Sequence, residues 1–381
     1  MRIFSSIFLI ISSLIFLAHY ILIGQAVYGD GRFYYSYGRS LALQGNLDVS
    51  DELTHVFSPK DNNQSTKSES TSQDYPVQSI GPALVWSPIL FIAHQIALIT
   101  NLPANGYSDI YQITTGLFSI LFTALAFHRL GLTLLKKHRP EVVFVTLILL
   151  WAGTNLFFYT ALDNINTHFL SFSLAALSLS TYLGKKTPSF FLMGLIAGLA
   201  FTNRQMDLLF HAALLGSIIV KTKKISSIIQ FSFAFVVGSL PQLFVWYTQR
   251  GSFLPPMAGS GFWNLNLTSI WDIFFNLPRG LLFTAPVMLL ALLNLPKFTD
   301  TILYKFSAIS FIVFLIINSF WWSPLGGAAY GPRFLIVFYP FLSLSLADLI
   351  SRIGTKYLLL LTPIPIMVNL IHIFIFLYKS P

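Results

Sequence analysis

The stretch PALVWSPILFIAHQIALIT, Pro82–Thr100, is long and apolar enough to pass for a membrane span. Whether it crosses sets the sidedness of everything that follows it. It belongs to a series of apolar blocks: Ile3–Gly24, Pro82–Thr100, Asp109–Leu130, Val142–Tyr159, Thr167–Leu183, Phe190–Asn203, Leu208–Val220, Ile225–Tyr247, Leu281–Leu295, Tyr304–Phe320, Phe334–Ile350 and Tyr357–Tyr378. The strongest basic turns are Lys136-Lys137-His138-Arg139, Lys185-Lys186, Lys221-Thr222-Lys223-Lys224, Lys297 with Lys305, and Arg352 with Lys356. If every block crosses from a cytoplasmic N-terminus, all these turns fall outside, against the tendency of Lys and Arg to stay in the cytoplasm. If Pro82–Thr100 stays on one side, they all fall inside, and Arg2 with them. Pro82, Pro88, His94 and Gln95 suit a helix lying at the interface. The expected fold is therefore an all-α polytopic membrane protein of about eleven transmembrane helices, N-terminus in and C-terminus out. An external N-terminus with every block crossing would also place the basic turns inside.

Composition agrees with a membrane protein. The chain has 381 residues, 55% hydrophobic and 10% charged, where soluble domains carry roughly 25% charged residues. Its mean hydropathy is +0.69. These values exclude a cytosolic enzyme, a secreted domain and a disordered chain. A net charge of +9 is read here through its placement, and nucleic acid is not an expected partner. The absence of Cys excludes disulfides, thiolate metal sites and Cys nucleophiles. The first block follows Met1-Arg2 and has no A-x-A-like site after it, so it reads as a retained helix rather than a cleaved signal.

The chain reads as a single transmembrane domain, residues 1–381, with two long outer loops. The first, 25–108, should contain interfacial helices and a mobile Ser/Asn/Gln/Lys-rich stretch at 58–74. The second is 248–280. Every Trp except Trp151 falls at or near the outer face by this topology, partly as an interfacial belt.

Polar residues of chemical interest collect on that same side. Tyr28-Gly29-Asp30-Gly31-Arg32 follows the first block, and Phe33–Ala42 reads as an aromatic amphipathic helix. A carboxylate at a half-desolvated boundary can accept a proton from a hydroxyl; the alternative for Asp30 is a helix-capping residue in a turn. Tyr75–Pro88 is a Pro-containing entry to the interfacial helix, as readily a stiff turn as a substrate contact. Trp321-Trp322-Ser323-Pro324-Leu325-Gly326-Gly327-Ala328-Ala329-Tyr330-Gly331-Pro332-Arg333 precedes a late span. Its glycines permit close backbone approach, and adjacent Trp beside them suit a carbohydrate. A guanidinium at the hydrocarbon edge is costly unless paired and offers a fork for phosphate; the alternative for Arg333 is snorkelling to headgroups. Asp163, Asn164 and His168 lie in one further outer turn, and Asn203, Arg204 and Asp207 in another. Each can be ordinary loop polarity, and Arg204 with Asp207 a structural i, i+3 pair. No P-loop, dinucleotide fingerprint, HExxH or Gly-x-Ser-x-Gly is present. Neither a metal site nor a cofactor is expected.

In their order and sidedness these segments resemble the GT-C glycosyltransferases, in particular the bacterial relatives of protein O-mannosyltransferases and lipid A aminoarabinose transferases. The matching residues are Gly29-Asp30, Tyr34-Tyr35, Arg39-Ser40-Leu41-Ala42 and Gly45 in Gly29–Asp48, the Pro-containing helix in Tyr75–His94, and Trp322, Gly326, Gly331 and Arg333-Phe334-Leu335 in Trp321–Pro340. The resemblance implies a GT-C-like fold whose large first outer loop holds juxtamembrane helices. It implies a polyprenyl-phosphate sugar donor and transfer with inversion to an acceptor hydroxyl of a glycan, lipid or protein. Asp30 would be the general base and Arg333 the donor-phosphate ligand, with Arg204 second. Arg32, Tyr35, Arg39, Asp163, His168, Trp321, Trp322 and Tyr330 would line the substrate. The expected location is the bacterial inner (cytoplasmic) membrane with the site facing the periplasm. The chain ends at Pro381 without the soluble C-terminal domain of larger members, so the acceptor stays open. The rival readings are a polytopic transporter or lipid flippase, a non-catalytic scaffold, and a ligase or polymerase of lipid-linked glycans.

Overall fold

The computed structural model describes residues 1–55, 76–184, 188–256, 262–295, 301–353, 357 and 362–379. The expected mobile stretch 58–74, Tyr75, and the basic residues Lys185, Lys186, Lys297 and Lys356 lie outside the described residues. Among the described residues the chain is α-helical without a named strand, and a β-bridge joins Trp263 and Trp321. Six helices are long and apolar enough to cross a membrane: Arg2–Ile23, Gly81–Ile99, Asp109–Leu134, Ile225–Arg250, Ile302–Ser319 and Arg333–Ile353. This is the helical content of a multi-pass membrane protein. Gly81–Ile99 qualifies by length and apolarity, although the sequence reading holds it to one side of the membrane.

Helix α1 (Arg2–Ile23) ends at Gly24, whose left-handed conformation turns the chain. The segment expected as the first outer loop contains α2 (Gly31–Arg39), which continues as a π-helical turn Ser40–Gln44, then α3 (Ser50–Thr54) and α4 (Gly81–Ile99). Helix α5 (Asp109–Leu134) runs antiparallel to α1. The Tyr20 hydroxyl donates to Asp109 at 2.7 Å, the Phe16 ring lies over Gly116, and Ser5 hydrogen-bonds His128. The expected span Val142–Tyr159 is instead two helices, α6 (Pro140–Ala152) and α7 (Leu156–Ala161), interrupted at Gly153-Thr154-Asn155. A break inside an apolar segment strands backbone carbonyls. The Asn369 amide answers it by donating to the Ala152 and Thr154 carbonyls at 2.9 and 2.8 Å.

Helices α8 (His168–Gly184), α9 (Phe190–Asn203), α10 (Leu208–Thr222) and α11 (Ile225–Arg250) follow. Gly194 and Gly198 of α9 lie directly against the α11 backbone at Phe231, Phe235 and Gly238, so the two helices run parallel with almost no side chain between them. Helix α12 (Ser269–Phe275) lies within the segment 248–280, expected as the second outer loop. The expected span Leu281–Leu295 is likewise split, into α13 (Leu281–Thr284) and α14 (Pro286–Asn294), because Pro286 has no N–H to continue the first piece. Helix α15 (Thr301–Ser319), a 3-10 segment Arg333–Phe338 leading into α16 (Tyr339–Ile353), and α17 (Pro363–Lys379) complete the order.

Helix ends sort by charge. Lys136 reaches the Leu183 and Gly184 carbonyls, His138 hydrogen-bonds Ser351, and Lys221 lies over the Tyr182 ring. The described basic turns therefore meet at one end of the molecule. Asp30, Asp163, Arg204 and Arg333 meet at the other.

Candidate active site

Three turns build the acidic and basic cluster. The first is Tyr28–Gly31, where Gly29 adopts φ +45°, a conformation that suits glycine. It leaves Asp30 as the residue before α2. Gly31 faces the Ile165 carbonyl so closely that no side chain fits between them. That contact seats Asp30 against the second turn, Leu162–Thr167. The third is Gly326–Arg333, in which Gly326, Gly327 and Gly331 all have positive φ and Gly326 lies beside the Arg333 side chain.

Asp30 and Arg333, separated by 303 positions in the chain, form an ion pair: Arg333 Nη2 donates to Asp30 Oδ2 at 2.7 Å. The Asp30 side chain is 38% exposed and that of Arg333 only 13%, so the carboxylate lies nearer the opening and the guanidinium behind it. Nε of Arg333 is buried without a partner.

Asp163 approaches the pair from the second turn. Its Oδ2 accepts a hydrogen bond from the Asn166 amide at 3.2 Å, and its Oδ1 is buried with no partner. Burial pushes this carboxyl up to about 7, while the Arg333 guanidinium and the Asn166 bond pull it down and the Asp30 charge adds to the rise. Tyr34, one helical turn after Asp30, is buried and feels Asp30, Arg204, Arg333 and Asp207; burial raises its phenol well above the ordinary value.

Arg204 shares the Phe334 ring with Arg333. Its guanidinium is 4.1 Å from the Phe334 ring centroid and that of Arg333 is 5.4 Å from the same centroid. Arg204 Nη1 donates to His168 Nδ1 at 3.4 Å, and no carboxylate among the described residues is within ion-pair distance of it. Burial works against its charge. Asp207 does not close an i, i+3 pair with it. Instead Asp207 Oδ2 accepts from Ser171 at 2.5 Å and from the Asn203 amide at 3.0 Å, while Oδ1 is buried and unpartnered. Burial raises this carboxyl. His168 packs on Tyr159, and its Nε2 is also buried without a partner.

The other residues singled out in the sequence go elsewhere. Tyr35 and Arg39 lie on a different face of α2 from Asp30 and Tyr34. The Tyr35 hydroxyl donates to the Gly106 carbonyl at 2.8 Å; Arg39 pairs with Glu52 at 2.5 Å, donates to the Asn105 carbonyl and covers the Tyr107 ring. They clamp the loop before α5. The Arg32 guanidinium stacks over Phe33. Tyr330 packs between Phe158 and Phe376, with its hydroxyl on Asn369 at 2.8 Å. Trp321 is stacked on Phe262 and bridged to Trp263, while the adjoining Trp322 ring is 60% exposed. Tyr34 was named in the sequence without a role at the site, and Tyr159 and Asn166 were not singled out at all. For Tyr34 the signal was its i+4 spacing from Asp30 on a short aromatic helix; the other two carried none.

Among the described residues no three His, Asp or Glu side chains are grouped to hold a metal ion. A separate apolar groove of about 410 Å³, lined by Leu41, Leu47, Ile80, Leu84, Pro241 and Phe244 among others, shares no residue with the cluster. Comparison with known protein families, with characterised proteins and with solved structures finds no match for this chain. The cluster holds two guanidiniums, of which only Arg333 has a carboxylate partner among the described residues, and carboxylates in three different environments.

Proposed function

We propose that this chain is a GT-C-type glycosyltransferase that moves a sugar from a polyprenyl-phosphate donor to an acceptor hydroxyl on the outer face of the membrane. The observation that carries the reading is the meeting of Asp30 and Arg333 at one end of the helices, opposite the basic turns. In the reaction, the acceptor oxygen attacks the anomeric carbon from the face opposite the phosphate, and its proton passes to Asp30. The bond from the anomeric carbon to the phosphate oxygen breaks, and the configuration inverts. The leaving group departs as a lipid phosphate, already a stable anion, so no general acid is required. Its charge is met by Arg333 and Arg204, while Asp163 and His168 face the sugar.

By this reading the protein spans the bacterial inner membrane about eleven times, with α4 entering from the periplasmic side and returning to it. The paired segments α6–α7 and α13–α14 count as one crossing each. The direct test is incubation of purified protein with a panel of radiolabelled polyprenyl-phosphate sugars and membrane extract. Labelled product is expected, and Asp30→Asn should lower its rate by about 10²–10⁴-fold. Near-normal transfer by that variant would remove the base assignment.

The broken helix α6–α7 and the buried His211, which contacts Ser178 inside the bundle, favour the second reading, a transporter or lipid flippase. Ion-coupled flux in proteoliposomes without any labelled product would establish it.

A further inference from the structure

The Asp30–Arg333 pair is not arranged like a finished catalytic contact. Nε and Nη2 of an arginine form one edge of its fork, the edge that takes carboxylate or phosphate with two parallel hydrogen bonds. Here Nη2 is spent on a single Asp30 oxygen, and Nε beside it is buried with nothing to donate to. Asp30 occupies half of a bidentate site. Its Oδ2 is held in that same bond and is not presented to an acceptor hydroxyl. Meanwhile Arg204, on the same Phe334 ring, has no carboxylate partner among the described residues. An arriving phosphate therefore meets one guanidinium that is available and a second that must be taken from Asp30.

We infer that Asp30 and the donor phosphate compete for the Nε/Nη2 edge of Arg333, so that donor capture and release of the base are one event. The inference rests on the sugar-transfer reading and deepens it: Asp30 is an internal anion that fills the phosphate site until the lipid phosphate displaces it. Binding is then ordered. Without donor, Asp30 is tied down and an acceptor hydroxyl is not activated, which protects the acceptor site from idle proton transfer. With donor, Arg333 turns to the phosphate, two hydrogen bonds replace one, and the Asp30 oxygen is exposed to the acceptor.

The same competition works in reverse after transfer. Asp30 then carries the acceptor's proton, is neutral, and cannot contest Arg333. Once it gives that proton to water it is an anion again, retakes Nη2, and weakens the hold on the lipid-phosphate product. The positions fit this cycle, since Asp30 is the more exposed partner and can exchange its proton, while Arg333 is mostly buried and changes partner without leaving the site.

The test is equilibrium binding of farnesyl phosphate to the purified full chain in nanodiscs, with farnesol as the phosphate-free control. Removing the competing anion should strengthen binding, so Asp30→Asn should bind farnesyl phosphate about tenfold more tightly than the native chain, with farnesol unchanged. Asp30→Ser serves as the second variant if Asp30→Asn melts at a lower temperature than the native chain. Arg333→Gln should lose the preference for farnesyl phosphate over farnesol, and the double variant should behave like Arg333→Gln. Equal or weaker binding by both Asp30 variants would overturn the competition and leave the sugar-transfer reading standing. No preference for farnesyl phosphate in the native chain would remove the phosphate role of Arg333, and the sugar-transfer reading with it.

Discussion

Burial gives Asp163 a pH dependence inside the range where the protein can be studied. Its folded carboxyl keeps a proton up to about 7, against 3.8 for the ordinary group. Between those values the folded state binds more protons than the unfolded chain, so stability falls as pH rises. The contribution of this group is full below the lower value and is lost as pH climbs through the upper one. Asp163→Asn should erase that slope: its thermal unfolding should vary less than that of the native chain between about pH 4 and pH 7, and its melting temperature should be the higher of the two at about pH 8. Parallel curves for the two proteins would place the proton elsewhere. The residue was visible in the sequence as an acid in an outer turn. Its unpartnered oxygen was not visible, because that depends on where Asn166 and Arg333 come to rest.

Helix α2 shows how one element divides its labour. The Gly29–Ala42 motif places Asp30 and Tyr34 one turn apart facing the cluster, whereas Tyr35 and Arg39, also one turn apart, face Gly106, Asn105 and Glu52. The sequence put Arg32, Tyr35 and Arg39 at the substrate together with the base Asp30, whereas residues adjacent in sequence point about 100° apart on a helix. The orientation depends on Gly31. Gly31→Ala should push α2 off the Ile165 carbonyl and move Asp30, lowering transfer on the order of 10²-fold while leaving the far clamp at Arg39 in place. Assays of product formation and of proteolytic protection at Arg39 would separate the two effects; an active Gly31→Ala protein would show that the contact is dispensable. The apolar blocks at Val142–Tyr159 and Leu281–Leu295 teach a related lesson. Each was legible as an apolar helical segment, but not as a broken one. Hydropathy sums over the interruption, and it took the distant Asn369 to satisfy the first break.

At the scale of the whole molecule, sidedness can be tested directly because the chain contains no cysteine. Single substitutions at exposed positions report their side to a membrane-impermeant maleimide. Leu265→Cys in the second outer loop and Thr100→Cys at the end of α4 should react in intact spheroplasts, and Lys224→Cys only after permeabilisation. Protection of Thr100→Cys in intact spheroplasts would mean that α4 crosses, which would reverse the sidedness assigned to all that follows it.

The order of apolar and basic segments determined that the chain is a helical membrane protein, and the same linear information set Asp30, Asp163, Arg204 and Arg333 apart from its lysine-rich turns. Hydropathy and charge are properties of short segments, and a bilayer acts on them segment by segment. Only the tertiary structure brought residue 333 to residue 30, left Arg204 without a carboxylate partner among the described residues, turned Arg39 away from the cluster and buried Asp163 Oδ1 without a hydrogen-bond partner. These outcomes depend on helix packing and on glycine contacts such as Gly31 with Ile165 and Gly198 with Gly238. Close packing joins residues far apart in the chain, and no local window of sequence contains both partners.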